Sequence, residues 1–134
     1  MQAFLNCTGR RVYLYSEAVD MRVGFERLFY YVREQMNQDL LKGDIYLFLG
    51  KNRSRAKVLL FDGTGLVLII KRLERGSFQS LGDLVDRKEF TSEELSLILA
   101  GTHVNFRFSS MEELAKDFFK KKSAKSNTQA AVVI

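Results

Sequence analysis

Three apolar runs follow one another closely in the middle of the chain, Ile45 to Leu49, Ala56 to Phe61 and Leu66 to Leu73, separated by links of only six and four residues. A parallel crossover needs a dozen or more residues, so links this short predict that the three runs pair as an antiparallel meander. Asp62-Gly63-Thr64-Gly65 is the sharper turn, because glycine permits the positive φ that tight hairpins require. The other link, Gly50-Lys51-Asn52-Arg53-Ser54-Arg55, is polar and basic. A meander runs up, down and up again. The end of its third strand, Lys71-Arg72-Leu73-Glu74-Arg75, therefore returns to the end of the sheet that carries the basic link, and two clusters distant in sequence are expected to meet.

Around this meander the pattern predicts one further strand and several helices. Val12-Tyr13-Leu14-Tyr15 is a short β-branched and aromatic run and reads as a first strand. Asp20 reads as an N-cap, with Phe25, Leu28, Phe29, Val32 and Met36 forming one stripe along a helix of about four turns, ended by the polar segment Asn37 to Gly43. Thr91-Ser92-Glu93-Glu94 has capping-box spacing, Leu95, Ile98 and Leu99 share the face that follows, and Gly101 is placed to end the helix. Ser110-Met111-Glu112-Glu113 repeats the pattern and predicts a last helix running to Lys120, Lys121 and Lys122, while Val104 to Phe108 is a candidate edge strand. The expectation is an α+β fold: an antiparallel meander of about four strands packed with two or three helices. With 134 residues there is room for one core, a single domain over 1–122, and a fraying tail over 123–134.

Composition excludes several classes of function. At 46% hydrophobic and 28% charged residues, the chain is neither disordered nor fibrous. Cys7 is the single cysteine, so no intramolecular disulfide or cysteine-rich zinc site is available, which favours a reducing, cytoplasmic setting. The apolar run Leu66 to Ile70 is far short of the roughly 20 residues that span a bilayer. Met1 to Leu5 lacks the basic start and long apolar stretch of a secretory signal. His103, the one histidine, has no serine or carboxylate motif beside it and reads as a surface or packing residue. No metal and no cofactor are expected. Lys51 follows Gly50 without the upstream glycine of a phosphate-cradling loop.

The charge is more informative than the composition. The chain has 21 basic and 16 acidic residues, a net +5. Between Lys42 and Gly76 stand eight basic residues, Lys42, Lys51, Arg53, Arg55, Lys57, Lys71, Arg72 and Arg75, against Asp44, Asp62 and Glu74. The rest of the chain is balanced at thirteen of each sign, so the whole excess lies in the meander and its flanks. Basic residues at hairpin tips and sheet edges also keep sheets from pairing with other chains. Their concentration at one predicted end nevertheless points to contact with a phosphate backbone, since neither a base-reading helix nor an aromatic RNA-binding motif accompanies them.

Four ordered blocks carry a resemblance to a known family. Asp20-Met21-Arg22-Val23-Gly24, Asn52-Arg53-Ser54-Arg55-Ala56-Lys57-Val58-Leu59, Asp62-Gly63-Thr64-Gly65 and Lys71-Arg72-Leu73-Glu74-Arg75-Gly76-Ser77-Phe78 together resemble the small accessory proteins, often called TnpB, encoded beside the transposase in bacterial insertion sequences of the IS66 type. These are unrelated to the RNA-guided nuclease that shares the short name. The match covers about the first eighty residues, and the helix from Thr91 to Gly101 has a counterpart. It implies a cytoplasmic bacterial protein that assists transposition without being the recombining enzyme. The family commonly carries tryptophans near the Asp-Gly turn and a proline after the first helix; this chain has no Trp or Pro, and residues such as Leu60, Phe61, Val67 and Leu40 stand there. The motif residues marked by the resemblance are Asp20, Arg22, Gly24, Asn52, Asp62, Gly63, Gly65, Glu74, Gly76 and Phe78.

Two functions follow from these residues. A two-metal nuclease would need converging carboxylates, and the set Asp20, Asp62 and Glu74 does not converge, because a meander puts Asp62 and Glu74 at opposite ends. Asp20 is read as a helix cap, Asp62 as a turn residue and Glu74 as a partner of Arg72 or Arg75. The first function is therefore a non-enzymatic accessory factor that binds DNA at the element ends, with Lys51, Arg53, Arg55, Lys57, Lys71, Arg72 and Arg75 facing phosphates. Arg22 either joins that surface or is a solvated helix residue. The second is an adaptor that docks the transposase through the same basic face without touching DNA. Neither involves a membrane, and the oligomeric state stays open.

Overall fold

The computed structural model describes residues 7–105 of the chain. Strand β1 is Val12–Leu14, helix α1 Phe25–Tyr30, strand β2 Ile45–Leu49, strand β3 Arg55–Phe61, strand β4 Leu66–Arg72, helix α2 Leu81–Leu84, strand β5 Glu89–Phe90 and helix α3 Ser92–Leu99. The five strands form one open sheet in the order β4-β3-β2-β1-β5. The fold is α+β in one small domain, and the expected meander is present: β2 pairs antiparallel with β3, and β3 with β4 in a register that sets Phe61 opposite Leu66 and Arg55 opposite Arg72.

Two features depart from the expectation of a purely antiparallel sheet. β1 pairs with β2 in parallel, Val12 opposite Ile45, because the chain between them is long enough to carry α1 as a crossover. The outer strand beside β1 is β5, a two-residue strand antiparallel to β1. Val104 and Asn105 are not in a strand, and the remainder of the run to Phe108, the helix from Ser110 to Lys122 and the tail lie outside the described residues.

The core has two layers, one on each side of the sheet. Alternate residues of each strand point to opposite faces. On one face Tyr46, Phe48 and Leu59 pack with Leu28 and Val32 of the α1 region and with Leu40. On the other, Ile45, Leu47, Leu49, Ala56, Val58 and Leu60 pack with Phe78, Leu84, Phe90, Leu95 and Ile98. β2 is consequently buried along its whole length, whereas β4 is half-exposed and ends in three exposed residues.

The first helix is shorter and its cap differs from the expectation. α1 gives way after Tyr30 to a π-helical turn over Tyr31–Gln35, closed by Met36 N–H donating to Tyr31 O at 2.9 Å. Asn37, at φ 55°, ends it. Asp20 is not the N-cap. Gly24 holds that position without a side-chain bond, because the Asp20 carboxylate is taken up by Arg22, whose backbone N–H and guanidinium both donate to it. At α3 the expected capping box is formed in both directions: Glu94 N–H donates to Thr91 Oγ1 and Thr91 N–H to Glu94 Oε1. Gly101, at φ 83°, follows that helix in the left-handed conformation that glycine adopts at little cost.

Candidate nucleic-acid interface

The two basic clusters meet. Leu73 N–H donates to Ser54 O at 2.8 Å, continuing the β3–β4 ladder past Arg55 and Arg72 into the link. Phe78 N–H then donates to Arg53 O at 2.7 Å, and Arg53 Nε returns a bond to Phe78 O at 3.0 Å. Phe78 itself is buried in the core beneath, so it pins the segment that follows β4 against the link. Arg53 adopts φ 62°, a left-handed conformation uncommon for a residue other than glycine, held by those two bonds. Asn52 shapes the same link, its Oδ1 accepting from Ser54 N–H and Ser54 Oγ.

Lys51, Arg53, Arg55, Lys71, Arg72 and Arg75 are all exposed at this end of the sheet. Arg55 and Arg72 are direct cross-strand neighbours and lie on the face that α1 covers; Lys71, opposite Ala56, projects from the other face. Placing like charges directly opposite costs a sheet about 0.2–1 kcal/mol. The acidic counterweight is small: Glu74 accepts from Arg72 Nε at 2.9 Å, and both side chains are largely in water, where such a pair contributes little.

Lys57 departs from the sequence expectation. It is 5% exposed, and its Nζ donates to Val23 O at 2.6 Å, tying the segment before α1 to the sheet. It therefore cannot face a phosphate. Its flanks, Ala56 and Val58, are both buried, because β3 is covered on both faces; the exposure that an edge position would have given it is absent.

A second segment joins the basic end. Val19 N–H donates to Leu49 O at 2.9 Å and Val19 forms a parallel bridge with Gly50, laying residues 19–22 beside the link. Asp20, Arg22, Lys51, Asn52 and Arg55 surround a shallow depression there, floored by Val19 and Met21. The Arg22 guanidinium, through its hydrogen bonds, holds the Asp20 carboxyl far below its usual pKa, and the Lys51 charge acts in the same direction. Gly50 permits this close approach: a Cβ there would lie 2.9 Å from Met21 Cγ and 3.1 Å from Arg55 O.

Comparison with known proteins now bears on the chain as a whole. The model of a family described as IS66 Orf2 like protein matches residues 10–107, well over half of the sequence. The chain belongs to the IS66 Orf2-like family. Among its relatives, the uncharacterized protein y4hO of Sinorhizobium fredii is 40% identical over 68 residues, 51% of this chain and 59% of that protein. The uncharacterized protein y4jC of the same organism is 32% identical over 93 residues, 69% of this chain and 80% of its own length. The chain thus spans under two thirds of the first relative and most of the second. No solved structure matches it.

The structure gives most of the family-motif residues a mechanical part. Asp20 and Arg22 form one ion pair at 2.6 Å beside the basic link, and Gly24 opens α1, its carbonyl accepting from Leu28 N–H. Asp62 organises the turn at the far end of the hairpin: its Oδ1 accepts from the N–H groups of Thr64 and Gly65 and from Thr64 Oγ1. Those donors lower its pKa. Gly63 takes φ 103° in that turn. Gly76 takes φ 74°, letting the chain reverse from β4 towards Phe78. Glu74 lies at the opposite end of the hairpin from Asp62, so the three carboxylates do not converge, and no cluster of His, Cys, Asp and Glu among the described residues could hold a metal ion.

Sequence reasoning overlooked Met21 and Gln79. Met21 meets Gly50, and Gln79 bonds both backbone groups of Val104, donating from Nε2 at 2.7 Å and accepting at Oε1 at 2.9 Å. Neither residue carries a pattern signal, since each acts on backbone that only the tertiary fold brings near. His103 is exposed and its Nε2 lies 2.8 Å from Ser77 O, in keeping with a surface role. Among the described residues no helix is long and apolar enough to cross a membrane.

Proposed function

We propose that this chain is a non-enzymatic accessory factor of insertion-sequence transposition that works in the cytoplasm beside its element's transposase and grips DNA through backbone phosphates. The observation that carries the reading is the cross-strand pair Arg55 and Arg72. A fold has no need of two arginines directly opposite each other, and four more exposed cations, Lys51, Arg53, Lys71 and Arg75, gather at the same end. A polyanion would relieve their mutual repulsion. Arg22, exposed and set beside Lys51 and Arg55, extends this surface. The contacts would be with phosphates and not with base edges, because the basic residues sit on loops and strand ends.

Titrating a fluorescent duplex carrying the element end with the full chain at low salt tests the reading. Saturable binding supports it, and absence of binding even at low salt removes it. The competing adaptor reading, in which the same face docks the transposase, is separated by pulling down the transposase after nuclease treatment. An association bridged by DNA is lost, whereas a direct one survives.

A further inference from the structure

Strand β4 lies at one side of the sheet, and among the described residues nothing pairs with its outer edge. It is seven residues long without Pro or Gly, and Leu66 to Ile70 carry no charge. Sheets ordinarily blunt such an edge with short strands, bulges, prolines or charges. Ile70 is 61% exposed on it.

The ladder with β3 determines which backbone groups face outward. At the turn Asp62 N–H donates to Gly65 O, and at the other end Leu73 N–H donates to Ser54 O. Hydrogen-bonded pairs alternate with non-hydrogen-bonded ones along an antiparallel ladder, so Val67, Ile69 and Lys71 bond to β3. The N–H and C=O groups of Leu66, Leu68, Ile70 and Arg72 point away from it.

We infer that this edge pairs antiparallel with the same edge of a second copy of the chain, centred on Ile69, joining the two sheets into one continuous sheet. Outward residues must oppose outward residues, and the register centred on Ile69 meets this rule while pairing the whole strand. Leu66 then faces Arg72, Val67 faces Lys71 and Leu68 faces Ile70 of the second copy, which covers the exposed isoleucine. Sliding two residues one way, to centre on Ile70, leaves Leu66 and Val67 unpaired; sliding the other way, to centre on Leu68, pairs Leu66 to Ile70 but carries Lys71 and Arg72 past the end of the partner strand. Charge selects the same arrangement. A parallel pairing would stack Lys71 and Arg72 on their own counterparts, a repulsive contact. The antiparallel one brings the turn containing Asp62 towards the basic end of the other copy. The two basic ends then lie roughly 20 Å apart along the seam, six residues at about 3.4 Å each. The pairing itself does not depend on DNA binding.

Sedimentation equilibrium of the full chain without DNA, at tens of micromolar, should give twice the mass of one chain; a monomer overturns the inference. In Ile70→Pro the lost N–H is one that faces away from β3, so the internal ladder keeps its bonds, and a folded monomer is expected. A folded Ile70→Pro that stays dimeric overturns the inference. An independent readout comes from Ile69→Cys in a Cys7→Ser background. Ile69 would face its counterpart as a non-hydrogen-bonded pair, with Cβ atoms close enough for a disulfide, so mild oxidation should yield a covalent dimer. Residues 106–134, or another protein, seated on this edge would leave the chain monomeric and uncrosslinked, which also contradicts it.

Discussion

The two ends of the β2–β4 meander are built on opposite principles. At the β3–β4 turn a single acid, Asp62, accepts three hydrogen bonds from the turn itself, and the structure consumes its charge locally. At the other end the loop residues also serve the fold, with Asn52 closing the link and Arg53 clasping Phe78, yet the cations far exceed what the fold employs. Among the described residues Arg55, Lys71 and Arg75, all exposed, make no ion pair, and Arg72 has only the solvated Glu74. Charge that a fold uses is found beside its partner; charge left over is available to something outside the molecule.

The largest effect that would break this comparison is on DNA affinity. Reversing both cross-strand arginines, Arg55→Glu with Arg72→Glu, should weaken binding by ~100-fold at low salt, read by fluorescence anisotropy, while the circular dichroism stays native. Arg55→Glu alone is sharper still. It replaces a like-charge pair with an opposite one, so stability should hold or rise by up to about 1 kcal/mol while affinity falls. A loss of stability that parallels the loss of binding would mean that the basic end is structural.

Two substitutions near the same end should do the reverse, lowering stability and sparing affinity. Gly50→Ala places a Cβ against Arg55 O and Met21, and the side chain of Met21 can give way more easily than the backbone can. Urea denaturation should show a loss of about 1–3 kcal/mol. Lys57→Met leaves Val23 O without its ammonium partner and should cost about 1–2 kcal/mol by the same measurement, with DNA affinity unchanged.

The smallest effect belongs to the turn. Asp62→Ala should lower stability by less than either of those substitutions and leave DNA binding intact. Its pH dependence has a definite sign. The folded-state pKa of Asp62 is lowered from 3.8, so the contribution is present above that value and disappears as pH falls through the folded pKa. The stability gap between wild type and Asp62→Ala should therefore narrow in acid below about pH 4.

What the sequence made legible follows from how local each cause is. Link lengths alone determine the meander, the Asp62 turn and the meeting of the basic clusters, and the capping box at Thr91 needs only its own four residues. Asp20 was misplaced because a short acid before an apolar stripe suits either a helix cap or an Arg22 clasp, and only the tertiary path beside Gly50 favours the second. The parallel pairing of β1 with β2 escaped because it joins runs thirty residues apart. Lys57 escaped because its burial depends on α1 covering β3 from a distance. The four family blocks, by contrast, were recognisable as they stood, since their residues answer to turns, clasps and strand ends formed within each block or between neighbouring ones.

The central claim is that the basic end holds phosphates. The slope of log affinity against log salt for element-end DNA reports how many are neutralised, at about −0.9 per contact. If the six exposed cations all contact phosphates, the wild-type slope should approach about −5, and Arg55→Glu with Arg72→Glu should reduce its magnitude by about 2. A slope near zero, or one that the double reversal leaves unchanged, would contradict the account.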